Sequence, residues 1–350
     1  MGNAFDCVSQ DKPDDDSSKA SAIDRIMIDY TSVTEPGASV LVYQDDNIVF
    51  SKGYGVSNIE TQERILPGTN FRLASITKQF TAMSIILLQK RKQLSLEDKI
   101  SKYFSDFPDY GQEIAIKHLL THTSGLVDYE DLMPADQVTQ VHDIDCLQLM
   151  HFTDHLYFPA GTDYKYSNTG YAILALIVEK VSGESFAQYL KQNIFDPLDM
   201  TTTVAFEDGK TVVVNRAYGH TQLENGTWTK TDQSSTSAVL GDGGIYTNVV
   251  EYAKWISALW SHKLVDKETQ DKIWSKTALE NGKIIDYGYG WHLEKLLGIT
   301  HPFHDGSSIG FRNSVGVFPA QKLMVIVLTN RHEHDPIEEV HKIAALYLSA

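Results

Sequence analysis

Strand-like segments lie near both ends of this chain, and helical patterns fill the middle. Two β-rich runs at 38–43 and 47–53 are separated by three polar residues, which predicts a hairpin. Four further strand-like runs, at 287–294, 300–305, 313–318 and 323–329, precede an amphipathic helical pattern near 337–348. Strands from the two ends must pair with each other, and one antiparallel sheet flanked by the terminal helices is the economical arrangement.

The central part of the chain has helical periodicity. Apolar spacing predicts helices at about 75–92, 114–121, 168–182, 185–193 and 249–261. We therefore expect an α/β (α+β) fold in which an all-helical domain is inserted into the sheet domain. The sheet part should comprise about 20–70 and 285–350 and the helical part about 75–280, with the active site in the cleft between them.

Composition and charge exclude several classes of protein. The 350 residues carry a net charge of −16, which opposes binding to nucleic acid. No apolar run approaches the roughly 20 residues of a membrane span. Two cysteines, Cys7 and Cys146, do not suggest a disulfide scaffold. Residues 1–19 hold few apolar side chains, which predicts a disordered acidic tail, and no signal peptide is recognisable in them.

The first candidate for chemistry is the pair Ser75 and Lys78, in an S-x-x-K pattern that opens an apolar helix. Residues three apart lie on one helical face, so the amine can reach the hydroxyl. A buried lysine with a lowered pKa can accept the proton of a serine and make it nucleophilic. The pattern alone is weak, since Ser9 and Lys12 match it within the acidic tail.

Two further segments could complete a site around Ser75. Tyr166 and Asn168 stand where a loop enters a helix, so a phenol could relay a proton and an amide could donate to a substrate carbonyl. Alternatively, Tyr166 is a packed aromatic and Asn168 an N-cap. A similar Y-x-N pattern ends at Asn248, which is interpreted as a helix cap.

The third segment begins at His304 and includes Gly306 and Ser307, at the end of one predicted strand and before another. A glycine there would let a substrate backbone approach closely. The alternative is a tight loop with a solvated histidine. Other histidine pairs, His118 with His122, His301 with His304 and His332 with His334, lack the glutamate of an H-E-x-x-H site, so no metal is expected.

Together these segments resemble the serine β-lactamase and penicillin-binding protein superfamily. The resemblance is closest to the branch of class C β-lactamases, D-alanyl-D-alanine carboxypeptidases and related esterases. Further phrases that look like this branch are 71–74, 118–126, 195–200 and 243–247. The resemblance implies a five-stranded or larger antiparallel sheet, a mechanism without metal or cofactor, a small-molecule or peptide substrate, and an extracytoplasmic location. It leaves the oligomeric state open.

The resemblance also implies a role for each residue. Ser75 would form an acyl-enzyme, Lys78 and Tyr166 would move its proton, and Asn168 would orient the substrate. The backbone N–H groups of Ser75 and Ser307 would form an oxyanion hole, worth about 3–4 kcal/mol per donor.

His304 stands where many relatives carry lysine. A neutral imidazole attracts a carboxylate less than an ammonium does. We therefore expect a peptidase or an esterase and not a dedicated β-lactamase. Arg312 is a candidate for binding a substrate carboxylate instead. The alternative function is a penicillin-binding sensor on the same fold with little turnover.

Overall fold

The computed structural model describes residues 14–348, with side chains from residue 17 onward. Its α-helices are α1 Asp14–Ile26, α2 Lys78–Lys90, α3 Ile116–Leu120, α4 Tyr129–Leu132, α5 Asp143–Leu149, α6 Asn168–Ser182, α7 Phe186–Leu190, α8 Leu240–Gly243, α9 Val249–Trp260, α10 Lys267–Ile273 and α11 Ile337–Leu348. Its strands are β1 Ala38–Gln44, β2 Asn47–Tyr54, β3 Val56–Asn58, β4 Glu63–Arg64, β5 Phe71–Arg72, β6 Val204–Ala205, β7 His220–Gln222, β8 Trp228–Lys230, β9 Ile245–Thr247, β10 Thr277–Ala278, β11 Ile284–Ile285, β12 His292–Leu296, β13 Ile299–Ser308, β14 Phe311–Phe318 and β15 Leu323–Thr329.

The main sheet joins the two ends of the chain. Its six strands have the order β12-β13-β14-β15-β1-β2, and all neighbours are antiparallel. The N-terminal hairpin meets the C-terminal strands through β1 and β15, from Ala38 opposite Thr329 to Gln44 opposite Leu323. The predicted fold class is therefore confirmed.

Both faces of the central strands are buried. Val40 and Val42 of β1 pack with α1 and α11, whereas Leu41 and Tyr43 join the larger core that contains Phe80 and the helices of the inserted region. Because successive side chains of a strand point to opposite faces, a nearly continuous apolar run serves two cores. The sheet thereby forms a rigid wall between the terminal helices and the inserted region.

The predicted disordered tail is wrong for residues 14–19, which belong to α1; residues 1–13 lie outside the described part of the chain. Further along α1, Ile23 and Met27 are fully buried in the core that α11 shares. Lys19 also lies over the ring of Tyr347, 4.9 Å from its centroid. Composition missed the first turns of this helix because its stabilising contacts come from the far end of the chain.

From the sequence we also expect neither a disulfide scaffold nor a membrane-spanning helix. Cys146 is a buried free thiol, and Cys7 lies outside the described residues. Among residues 14–348, every helix is too short or too polar to cross a bilayer.

The inserted region is mostly helical, and short strands that the sequence did not predict lie within it and in the segments that flank it. They form a three-stranded sheet in the order β5-β9-β6 and the two-stranded pairs β3-β4, β7-β8 and β10-β11. Strands of two or three residues have no measurable periodicity. The β5-β9-β6 sheet forms because distant segments pair, and the pairing of β5 with β9 places the chain just before Ser75.

The strand predicted from residue 287 begins only at His292. The preceding chain instead turns tightly, with Gly288 against the Ile273 carbonyl at the end of α10 and Gly290 against α2. Gly290 has a φ of 76°, and a Cβ atom added there would lie 2.7 Å from the Lys78 carbonyl oxygen. Glycine is required here both for the backbone conformation and for the close approach to the helix that carries Lys78.

We predict that Gly290→Ala destabilises the protein more than Gly282→Ala. Gly282 has a similar φ of 83° but open space around it, so it isolates the conformational cost of about 1–2 kcal/mol. The contact with Lys78 should add a further ~1–3 kcal/mol at Gly290. Urea unfolding of both variants measures the difference, and equal losses would show that the close packing contributes nothing.

Candidate active site

Ser75 lies in a 3₁₀ turn, Ala74–Thr77, that leads directly into α2. The residue before it, Ala74, has a φ of 51°, a left-handed conformation that non-glycine residues rarely adopt. The turn leaves the Ser75 side chain partly exposed, while Lys78 begins the buried helix. Lys78 Nζ lies 3.1 Å from Ser75 Oγ, so the structure brings together the first predicted pair.

The surroundings of Lys78 favour the neutral amine. Its side chain is completely buried and also donates a hydrogen bond to the backbone oxygen of Asp242 at 3.0 Å. Burial lowers the pKa of Lys78 to about 8, although the acidic groups of Asp242, Asp128 and Glu130 oppose this shift. At mildly alkaline pH the amine can therefore accept a proton from Ser75.

Tyr166 packs beside this pair. Its ring centroid lies 4.9 Å from Lys78 Nζ, and its ring stacks on His122 at 4.2 Å between centroids. Burial raises the pKa of the Tyr166 hydroxyl, and the neighbouring Ser75 side chain opposes that rise. The hydroxyl completes no hydrogen bond with the described residues, so it remains available to a reacting group.

His304 is buried, so the alternative of a solvated loop histidine is excluded. Its Nδ1 lies 2.6 Å from the Asp305 carbonyl oxygen and must donate there, which leaves Nε2 to accept from the Tyr287 hydroxyl at 3.3 Å. Burial holds the pKa of His304 well below its usual range, and His292 and Lys78 lower it further. The imidazole is therefore neutral.

Sequence reasoning missed the aromatic and imidazole cluster behind Tyr166. Its additional members are His122, Tyr287 and His292, which pack against Tyr166 or His304. From the sequence alone, His122 stands out only as a possible metal ligand paired with His118, although it accepts a hydrogen bond from the Ser167 N–H next to Tyr166. The resemblance of segment 118–126 to the superfamily was the sequence signal that could have identified His122. For His292 there was none, because its contact arises only in the folded chain.

Asn168 is the first residue of α6, and Ser167 occupies the N-cap position, so the alternative that Asn168 is the cap is wrong. The Asn168 amide donates to Glu130 Oε1 at 3.0 Å, while its backbone N–H donates to Asp128 Oδ2 at 2.6 Å. Burial raises the pKa of both carboxyl groups. These two acids were not predicted as site residues. Asn248 does cap α9, as predicted.

The role predicted for Gly306 is wrong. A Cβ atom at Gly306 would lie 2.1 Å from the Leu73 carbonyl oxygen, so the space beside this glycine is filled by the chain itself and not by a substrate. Gly306 lets β13 pack closely against the segment that leads to Ser75. The next residue, Ser307, lines the same cleft as Ser75.

Arg312 lies in the cleft, but its guanidinium is already engaged. Nη1 donates to the carbonyl oxygens of Ser308 at 2.7 Å and Phe311 at 2.8 Å, and Nε lies 3.2 Å from Asp335 Oδ1. These contacts hold the turn between β13 and β14 and balance the charge. Carboxylate binding by Arg312 therefore stays a prediction, and it has to compete with these partners.

The cleft itself has a volume of about 250 Å³ and lies between the sheet and the inserted region, as expected. Residues of both parts line it: Ser75, Glu130, Asn168, Asp242, Ser307 and Arg312. The lining combines cationic and acidic groups. It can therefore hold a polar substrate against the Ser75 hydroxyl.

Asn313 fixes the Ser75 segment to the main sheet. Its buried amide donates to the carbonyl oxygens of Arg72 at 2.9 Å and Leu73 at 3.3 Å, and its Oδ1 accepts from the Thr329 N–H at 3.1 Å. One side chain thus connects β14, β15 and the chain before Ser75.

We predict that Asn313→Ala destabilises the fold, because each buried backbone group left without a partner costs about 1–3 kcal/mol. The exposed Asn47 provides the control: its amide bonds only to the Asp45 carbonyl, so Asn47→Ala should change stability by no more than about 0.5 kcal/mol. Urea unfolding compares the two variants. Equal stability would mean that the Asn313 contacts do not hold the segment.

Comparisons with known proteins agree with this geometry. The sequence model of the β-lactamase family matches residues 23–348. A penicillin-binding protein of Bacillus subtilis (strain 168) is 29% identical over 328 residues, which cover 89% of this chain and 71% of that protein.

Two solved structures are also similar. The octameric penicillin-binding protein homologue from Pyrococcus abyssi has a TM-score of 0.79 and 27% identity, over 96% of this chain and 78% of that one. The D-amino acid amidase from Ochrobactrum anthropi SV3 has a TM-score of 0.80 and 20% identity, over 95% and 99%, and this likeness concerns the fold.

Proposed function

The chain belongs to the β-lactamase family, and we propose that it is a serine hydrolase that cleaves an amide or ester bond through an acyl-enzyme on Ser75. One observation carries the proposal: a completely buried amine, Lys78 Nζ, lies 3.1 Å from the Ser75 hydroxyl oxygen. An exposed lysine at the same distance would keep a pKa of about 10.4, so a far smaller fraction of it would be neutral and able to act as a base near pH 8.

The reaction begins when neutral Lys78 takes the Ser75 proton as Oγ attacks the substrate carbonyl carbon. The backbone N–H groups of Ser75 and Ser307 stabilise the oxyanion of the tetrahedral intermediate. When that intermediate collapses, the bond to the amine or alcohol breaks and the leaving group receives a proton from Lys78 by way of the Tyr166 hydroxyl. Water then attacks the ester on Ser75 and releases the acid.

The lining of the cleft supports a substrate class. His304 is neutral and buried, so it provides no cation for the carboxylate of a β-lactam. Glu130 and Asp128 lie beside the Asn168 amide and make this end of the cleft acidic. We therefore favour D-amino-acid peptides and acyl esters over β-lactams. The extracytoplasmic location expected from the resemblance belongs to the same proposal.

A fluorophosphonate should form one covalent adduct, on Ser75. The probe loses fluoride to an activated serine hydroxyl, so the intact mass of the wild-type chain should rise by one phosphonyl group, and Ser75→Ala should abolish the rise. Ser9→Ala is the matched control because Ser9 stands in the other S-x-x-K sequence. Full labelling of Ser75→Ala would eliminate Ser75 as the nucleophile.

Turnover separates a hydrolase from a sensor. With p-nitrophenyl esters and D-alanyl peptides, a hydrolase releases product continuously, whereas a sensor stops after one equivalent and keeps the acyl group. A lasting stoichiometric adduct without steady-state hydrolysis would refute the proposed function while leaving Ser75 as the acylated residue.

The rate of Ser75 labelling should rise with pH and reach half of its maximum near pH 8, because only neutral Lys78 can accept the proton and burial lowers its pKa to about 8. Below that pH the amine is charged and the rate falls. Stopped-flow labelling from pH 6 to 10 measures the profile. Lys78→Ala supplies the background at each pH, and a wild-type profile parallel to this background would contradict the role of Lys78.

A further inference from the structure

A second cluster of ionisable side chains lies away from the Ser75 cleft. Glu294 of β12 stands directly opposite His301 of β13, and His341 reaches both from α11. His341 Nε2 lies 2.7 Å and His301 Nε2 lies 3.4 Å from the same atom, Glu294 Oε1. The three ligand atoms lie within 4.8 Å of one another.

His301 is the unusual member of this cluster. Its side chain is completely buried and stacks on Phe318 at 4.3 Å between ring centroids. Neither of its ring nitrogens completes a hydrogen bond with the described residues. A buried imidazole without partners is costly, and its Nε2 points toward Glu294 and His341. A bound electron-pair acceptor, such as a metal ion, would give His301 Nε2 the partner that it lacks.

The strand geometry separates this cluster from the active site. His301 and His304 are three residues apart on β13, so their side chains project from opposite faces of the sheet. His304 contacts Tyr287 on the side of the cleft, whereas His301 contacts α11 on the other side. The pair that the sequence suggests, His301 with His304, therefore cannot bind one ion, and no catalytic role follows for this cluster.

We propose that Glu294, His301 and His341 bind one divalent transition-metal ion of the zinc class. Two imidazoles and one carboxylate are a donor set that zinc takes in proteins. With metal–ligand bonds of about 2.1 Å, tetrahedral ligands lie roughly 3.4 Å apart. The observed 3.4 Å fits, and the 2.7 Å contact has to open by less than 1 Å. The two imidazole nitrogens, which lie within 4.8 Å of each other, have to approach by at most about 1.4 Å.

The positions of these three side chains determine how an ion would enter the site and which elements it would connect. Glu294 and His341 are about 31% and 27% exposed, so an ion can enter from solvent and water can take the fourth position, while His301 closes the inner side. The bound ion would connect the edge hairpin of β12 and β13 to α11. It would thereby stabilise the strand whose other face carries His304.

Titration of ZnCl₂ into the chelator-treated full chain, followed by calorimetry, tests the proposal. We expect one saturable site per chain, and at least a tenfold weaker affinity in Glu294→Gln and in His341→Gln. His334→Gln is the matched control, because His334 forms a similar pair with Glu339 at 2.9 Å but belongs to no three-ligand group among the described residues. Ser75→Ala should also bind with unchanged affinity, which separates this site from the catalytic one.

A second readout reports the coordination of the ion directly. Co²⁺ in a four-coordinate site of this donor set should give intense visible absorption in the wild type, which His341→Gln should lose and His334→Gln should keep. Absence of saturable Zn²⁺ binding, or binding that neither Glu294→Gln nor His341→Gln weakens, would overturn the proposal and leave the cluster as a hydrogen-bonded glutamate and histidine pair.

Discussion

The chemistry that we propose for this protein depends on the removal of one ammonium group from water. Lys78 has no exposed surface, and desolvation outweighs the nearby acids so that its pKa falls to about 8. The arrangement of Asp242 explains why the nearby acids do not restore the usual pKa of Lys78. Its backbone oxygen, not its carboxylate, accepts from Lys78, while the carboxylate accepts from the Tyr129 hydroxyl at 3.1 Å. Burial also raises the pKa of Asp242 to about 7, which weakens its negative charge near the amine.

That burial requires close packing around the start of α2, and several parts of the fold contribute to it. Gly290 brings the chain before β12 against the Lys78 carbonyl, and Gly306 brings β13 against Leu73. Asn313 then ties the same segment to β14 and β15 through hydrogen bonds. The sheet formed by the two chain ends thus holds Ser75 next to the fully buried Lys78.

Features that depend on neighbouring residues could be predicted from the sequence, whereas features that depend on contacts between distant segments could not. β15 and α6 were predicted with their full bounds, since long apolar patterns determine them, and the Ser75 and Lys78 contact follows from one turn of helix. The stacking of Tyr166 on His122 joins separate segments, so no spacing could reveal it. Gly306 was misinterpreted for the same reason: the atom that demands a glycine belongs to Leu73. Residues 14–19 were assigned to a disordered tail because the support of α1 lies on α11.

Two histidines of β13 show how partners, not residue type, determine function. His304 has a carbonyl acceptor at one nitrogen and a tyrosine hydroxyl at the other, so it is satisfied as a neutral ring and has little reason to bind an ion. His301 is equally buried, but its nitrogens lack such partners and a carboxylate faces it. Since successive side chains of the strand point to opposite faces, His304 packs with the cluster around Tyr166 on one face, and His301 is placed for the proposed metal ion on the other. One strand can therefore serve two sites without mixing their chemistry.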